Sequence, residues 1–177
     1  MDVGDALARV YAFRHLTPEA RRLLADRCER RTFGAGEVVV RAGEAAGAWH
    51  LVLAGRARTA EGTGGRPRLY GPGDTFGVQS LIGAPASADG IQAEDALMLA
   101  VLTPRAFEAF AASIGDGHRA GLLRRLTRQP DFEFLRRLNV FAGLDVDATE
   151  RLFDRLGHAS VRRGDLLYRE NAPTDAC

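Results

Sequence analysis

From residue 38 to residue 102 the chain is cut into short apolar runs, at 38–40, 49–53 and 96–102, by Gly, Pro and Asp. These breaks fall at roughly 10-residue intervals, the rhythm of short strands joined by tight turns. Such punctuation argues for a small antiparallel β-sandwich or barrel. The glycine-rich Gly62-Thr-Gly-Gly65 lacks the Lys-Ser/Thr of a phosphate-binding loop. It reads instead as the tip of a hairpin between residues 56–61 and 66–70.

A second constraint is an internal repeat. Phe13 and Phe141, Leu16 and Leu144, Ala20 and Ala148, Leu24 and Leu152, Asp26-Arg27 and Asp154-Arg155, Gly36 and Gly164, and Arg41 and Arg169 all stand 128 positions apart, without a gap. Each copy opens with a helix start signal, Thr17 followed by Pro18 in the first and Asp145 in the second. Apolar residues follow at helical spacing: Ala20, Leu23, Leu24 and Cys28, then Ala148, Leu152 and Leu156. After each helix a Gly-acidic pair leads into a β run, Gly36-Glu37-Val38 and Gly164-Asp165-Leu166. Between the copies, Thr103-Pro104 opens a helix with Phe107, Phe110, Ala111 and Ile114 on one face, and Gly115 and Gly117 break it. A second helix is predicted over residues 118–128, with Gln129-Pro130-Asp131 marking the boundary. The division expected is therefore 1–129, a complete unit, and 130–177, the N-terminal part of a second, incomplete one.

Three segments carry a resemblance: Thr32-Phe-Gly-Ala-Gly-Glu-Val-Val-Val-Arg-Ala-Gly-Glu44, Trp49-His-Leu-Val-Leu-Ala-Gly-Arg56, and Leu69-Tyr-Gly-Pro-Gly-Asp-Thr-Phe-Gly77. In this order and spacing they resemble the cyclic nucleotide-binding domain family, as found in catabolite activators and kinase regulatory subunits. The resemblance implies an α+β, mainly β fold: a jelly-roll-like β-roll with flanking N-terminal and C-terminal helices, followed here by the start of a second such unit. It also implies a phosphate-binding cassette over Phe76, Gly77, Val78, Gln79, Ser80, Leu81, Pro85, Ala86, Ser87 and Ala88. There a short helix would turn its backbone N–H groups to the cyclic phosphate. In the family a Glu directly after Phe-Gly takes the ribose hydroxyl and an Arg after the later Pro pairs with the phosphate. Here the first position is Val78, and the second falls on Ala86 or Ser87. The cassette is thus vestigial, and cAMP or cGMP is expected to bind weakly or not at all.

The remaining features narrow the function by exclusion. With 24 basic against 23 acidic residues the net charge is +1, which favours neither nucleic acid nor an anionic membrane as partner. Arg124, Arg125, Arg128, Arg136 and Arg137 alternate with Leu122, Leu123, Leu126, Leu135 and Leu138, so they read as the wet face of an amphipathic helix. No apolar run reaches the length of a membrane span, and the first residues lack a signal peptide, so a cytoplasmic protein without direct membrane insertion is expected. Cys28 is placed as a small buried residue. His15, His50, His118 and His158 have no metal-ligand spacing, and no cofactor or metal is expected. Ser80 and Ser87 have no histidine or acid at a triad spacing, so the protein is not read as an enzyme. A cupin-like jelly-roll enzyme is disfavoured by the absence of its His and Glu ligands.

The function expected from the sequence is a non-catalytic regulatory or interaction module that contacts a protein partner or other domains of a longer chain, with a homo-oligomer left open. The alternative is a sensor of a different small molecule in the same β-roll cavity.

Overall fold

The computed structural model describes residues 1–43, 47–60, 67–83, 90–141 and 143–157. Its strands are β1 (Glu29–Phe33), β2 (Val38–Val40), β3 (Trp49–Ala54), β4 (Ala57–Thr59), β5 (Leu69–Tyr70), β6 (Thr75–Phe76), β7 (Ile91–Ala93) and β8 (Leu97–Leu102). They form two antiparallel four-stranded sheets, ordered β1-β8-β3-β6 and β2-β7-β4-β5. The expected α+β, mainly β roll with flanking helices is the fold the chain adopts. The predicted hairpin is present at its base, where Ala57 pairs with Tyr70 and Arg58 with Leu69. Its tip at 62–65 lies outside the described residues, as does the second β run at 164–168.

Residues 49–53 form an unbroken apolar run except for His50, because the central sheet is covered on both faces. On one face Val52, Leu97, Leu99 and Val101 meet Ala57, Tyr70, Ile91 and Ala93 of the second sheet inside the roll. On the other, Trp49, Leu51, Leu53, Ala100 and Leu102 pack against the helices, with Phe13 edge-on to Trp49 at 5.2 Å between ring centres. Gly55 makes the turn from β3 to β4 possible. Its φ is +76°, and a side chain there would run into the Ala96 carbonyl.

The helices are α1 (Val3–Leu7), α2 (Pro18–Ala25), α3 (Pro104–Ser113), α4 (Asp116–Arg137) and α5 (Val146–Arg155). Local chemistry sets their starts: Thr17, Thr103 and Asp145 each accept a hydrogen bond from the backbone N–H three residues on. Gly115, at φ +78°, separates α3 from α4. Phe107, Phe110 and Ala111 are buried as their spacing predicts. In α2 only Leu24 is fully buried, and Leu23 points to solvent at 48% exposure, which corrects its placement on the buried face.

The larger correction concerns α4. Instead of ending near residue 128, it runs through Pro130 to Arg137. An interior proline costs a helix about 3 kcal/mol, and here tertiary contacts on both sides of it offset that cost. Gln129 is 2% exposed and fixed to three other groups, and Phe132, at 1%, is stacked on Tyr11 with ring centres 4.4 Å apart.

Residues beyond α4 dock on the N-terminal segment. Tyr11, Phe132, Leu135 and Phe153 form a small aromatic core of their own. Around it, Glu150 of α5 binds Arg14 at 2.9 Å, Arg125 at 2.9 Å and His15 at 2.6 Å, and Arg14 also pairs with Asp147. Burial alone would raise the Glu150 carboxyl. The hydrogen bonds from Arg125 and His15 and the charges of His15 and Arg14 outweigh it, leaving the group below the usual carboxylate range. Arg128 reaches Asp154 at 3.2 Å and lies over the Phe153 ring, and Arg137 approaches Asp74 at 3.8 Å. Three of the five arginines assigned to a wet face are therefore clasps between elements, because α4 is covered on more sides than its leucine stripe indicated.

Candidate ligand site

The segment expected to hold the cassette is positioned from its N-terminal side by a tight turn. Asp74 accepts from the Gly71 N–H at 2.9 Å and donates its own N–H to the Gly71 carbonyl, closing Gly71-Pro-Gly-Asp74. That turn is tied to β3 by Gly73 N–H to the Val52 carbonyl and by Val52 N–H to the Asp74 carbonyl. It delivers β6 alongside β3, with Phe76 opposite His50. Gly77 then takes a left-handed conformation at φ +79°, and a short 3-10 helix, Val78–Ile82, follows.

The direction of the side chains decides what this segment can do. Val78 and Leu81, each 6% exposed, pack into the layer between roll and helices with Trp49, Leu102 and Phe107. Gln79 and Ser80 are partly exposed, and the Ser80 hydroxyl donates to the Gly77 carbonyl at 2.7 Å. Phe76 is buried inside the roll against Tyr70. None of residues 76–82 carries a charge, and Val78 has its methyls in an apolar layer where the resemblance calls for a Glu. Pro85, Ala86, Ser87 and Ala88 lie outside the described residues.

Two polar features near the cassette were not anticipated. The first is His50, which faces the roll interior, 7% exposed, its ring stacked on Phe76 at 4.6 Å between centres. Its Nδ1 is buried without a hydrogen-bond partner. Burial, reinforced by the Arg31 charge, pushes the imidazole down to about 4 against a backbone hydrogen bond at Ala48, so the ring is neutral at pH 7. The signal available in the sequence was a lone histidine in an otherwise apolar strand.

The second is a polar junction behind β6. Gln129 of α4 accepts from the Ala12 N–H at 3.0 Å and donates to Thr75 at 3.3 Å and to Glu133 at 2.8 Å. Thr75 in turn donates its hydroxyl to Glu133, which also has Arg68 at 3.4 Å. Burial raises the Glu133 carboxyl above its ordinary value, opposed by the hydrogen bonds from Thr75 and Gln129 and by the Arg137 and Arg68 charges. One amide thus joins the N-terminal segment, α4 and the strand leading into the cassette. Among the described residues no cluster of His, Cys, Asp or Glu could hold a metal, and no helix is long and apolar enough to cross a membrane. Cys28 packs against the helical core and donates to the Leu24 carbonyl, and burial pushes its thiol up to about 12.

Comparison with known proteins agrees with this geometry. The family profile of the cyclic nucleotide-binding domain matches residues 30–113. No curated protein matches the sequence. Among solved structures, the chain is similar to the cAMP-bound regulatory domain of protein kinase A from Toxoplasma gondii, at 23% identity and TM-score 0.57 over 73% of this chain and 48% of that one. It is similar to the catabolite activator protein of Thermus thermophilus, at 25% identity and TM-score 0.57 over 74% of this chain and 62% of that one. It is also similar to a cyclic nucleotide-binding-like protein from Brucella abortus, at 29% identity and TM-score 0.56, covering 63% of this chain and 99% of that one. The chain thus spans about half the length of the Toxoplasma structure. Residues 30–113, with their two-sheet roll and their Phe-Gly turn into a short helix, thus match the cyclic nucleotide-binding domain in both sequence profile and fold.

Proposed function

We propose that this protein is a non-catalytic regulatory or interaction module, built on a cyclic nucleotide-binding domain whose cassette no longer accommodates a cyclic phosphate, and that it works as part of a longer tandem protein. The observation that carries this reading is the burial of Val78 in the layer between roll and helices, on a segment without charge. Losing the buried charge partner of a phosphate costs roughly 2–5 kcal/mol, and losing a hydrogen bond to a charged group roughly 1.5–3 kcal/mol. Together they weaken binding on the order of a thousandfold or more, at ~1.4 kcal/mol per decade. Calorimetric titration of residues 1–177 with cAMP and with cGMP is expected to give no saturation in the micromolar range. A micromolar dissociation constant for either nucleotide would overturn the proposal.

One observation favours a second reading, a sensor of a different and uncharged small molecule. The neutral His50 ring presents an unpaired Nδ1 among apolar walls, where a ligand bearing a single hydrogen-bond donor would satisfy it. Native mass spectrometry of the purified chain separates the two readings, since a retained mass favours the sensor and a bare chain the interaction module.

A further inference from the structure

The donors that meet Glu133 behind β6 are aimed before any carboxylate arrives. The Gln129 amide is held one way round, because its Oε1 accepts from the Ala12 N–H at 3.0 Å, so its Nε2 faces Thr75 and Glu133. The Thr75 hydroxyl accepts from that Nε2 at 3.3 Å, which leaves its own proton for the carboxylate. Arg68 reaches the other oxygen, with its guanidinium seated 4.8 Å over the Tyr70 ring. We propose that Thr75, Gln129 and Arg68 form a carboxylate-binding site, which the chain's own Glu133 keeps filled and which an Asp or Glu side chain of a protein partner takes over in exchange.

The donors select a carboxylate by shape. Glu133 Oε1 accepts from Gln129 at 2.8 Å and from Thr75, whereas Oε2 accepts from Arg68 at 3.4 Å. A planar anion with two oxygens meets both ends at once, and a spherical halide meets one. Charge agrees with this. Arg68 and Arg137 both act on Glu133, and Asp74 stands 3.8 Å from Arg137. Two cations are balanced by Glu133 and Asp74, so removing Glu133 leaves one positive charge over, and a single monoanion restores the balance. The inner end of the site is closed, with Thr75 and Gln129 at 3% and 2% exposure, while the Arg68 side chain at 46% opens it to solvent.

The occupant reaches this site from beyond a weak point in α4. Gln129 is fastened to Ala12 and Thr75, and Glu133 lies one helical turn further on. Between them, Pro130 has no N–H to give to the Leu126 carbonyl, so the helix is weakened where receptor and occupant meet. The site is also separate from the roll interior. Thr75 turns to α4, and Phe76, the next residue of the strand, turns into the roll against His50 and Tyr70. A free acid competes poorly with an occupant tethered at millimolar effective concentration or above, whereas a partner that brings a contact surface of its own does not share that handicap.

Glu133→Ala empties the site, and the probe is sodium acetate, with sodium chloride at equal ionic strength beside it. The side-chain amide resonance of Gln129 in isotope-labelled 1–177 Glu133→Ala is expected to shift saturably with acetate in the millimolar range, as suits so small a ligand. Chloride is expected to give no saturable shift. Adding Arg68→Ala is expected to weaken acetate binding by about fivefold or more, the effect of a charged donor that is partly exposed. In the wild-type chain the same acetate is expected to leave Gln129 unmoved. A saturable shift there would show that a free acid displaces Glu133 and would overturn the assignment to a partner's side chain. Equal responses to acetate and chloride, or acetate binding that ignores Arg68→Ala, would overturn the site itself and leave Glu133 as an internal fastening. A Glu133→Ala chain that folds in neither salt would overturn it too, because donors aimed by Ala12 and Tyr70 need no occupant to form. None of these outcomes bears on cyclic nucleotide binding, which the calorimetric titration tests separately.

Discussion

Acid should weaken this fold earlier than its carboxylates alone would, and His50 is the reason. Its ring has an ordinary value of 6.5 and lies at about 4 in the fold, so the unfolded chain binds a proton the folded one refuses. The contribution of neutral His50 is fully present above pH 6.5 and is lost as pH falls from there toward 4. Over that window the loss is about 3 kcal/mol at 1.36 kcal/mol per unit, of which about 2 kcal/mol is gone by pH 5. That is a large share of the stability of a typical domain. The raised carboxyl of Glu133 works in the opposite direction, gaining as pH falls. The carboxyls of Asp95, Asp147 and Glu150, all held down, add their losses only below the usual carboxylate range. His50→Phe removes one titration and leaves the others, and a phenyl ring can keep the stack on Phe76. Urea unfolding of both proteins at pH 7.5, 6.5, 5.5 and 5.0 is the assay. Relative to wild type, His50→Phe is expected to gain about 2 kcal/mol between pH 7.5 and 5.0. A difference between the two proteins that stays constant across that range would refute the reasoning.

Other perturbations read other parts of the structure. Gln129→Leu leaves the Ala12 N–H and the Thr75 hydroxyl without the amide and should cost about 2–4 kcal/mol by chemical denaturation; a loss below 1 kcal/mol would show that the junction is not a fastening. Glu150→Ala strands Arg14 and Arg125 beside a half-buried gap, so amide exchange in α5 should accelerate while the roll strands stay protected. Equal protection of α5 in the variant would count against the charge clasp. Val78→Glu places an unpaired carboxylate among Leu81, Leu102 and Phe107 and should destabilise by about 2–4 kcal/mol. An unchanged melting temperature would mean that this side chain can swing into the roll and that the cassette is not closed.

How far these features were legible in the sequence depended on how local their causes are. The strand runs at 38–40, 49–53 and 96–102, the hairpin pairing Ala57 with Tyr70, and the three capped helix starts rest on residues within a few positions of one another, and these are present. The passage of α4 through Pro130 is decided by partners far away in sequence, Thr75 and Ala12, and no periodicity in α4 contains them. Leu23 was misplaced because two adjacent leucines on a helix point about 100° apart and only Leu24 meets the core. The arginines of α4 were read as solvated because the pattern of one helix cannot show that α5 and the Asp74 turn lie against its polar side. Along residues 76–82 the absence of charge was visible directly, whereas the burial of Val78 follows from the left-handed turn at Gly77, which resets which way the next side chain points. His50 was noted only for lacking metal-ligand company, since burial and an unpaired nitrogen are properties of the folded roll.

The polar junction and the aromatic core together give the roll a physical route to α5. Thr75 immediately precedes Phe76 and the cassette, and it is fastened to Gln129 and Glu133. Gln129 holds the Ala12 N–H, and the adjacent Tyr11 ring is one wall of the pocket that takes Phe153. A displacement of β6 therefore cannot leave α5 undisturbed unless one of these contacts stretches or breaks. Tyr11, Gln129 and Phe132 are 2%, 2% and 1% exposed, so the route is closely packed and deforms in discrete steps more readily than by gradual give. The two readings of the cavity then differ in a specific way. If the roll holds an uncharged ligand at His50, beside Phe76 on the β3–β6 pair, its arrival acts on the strand that carries Thr75 and is transmitted along this route. If the roll is simply closed, the same contacts make α5 a rigid continuation of the roll and its helices, which is what an interaction module that presents a fixed surface requires.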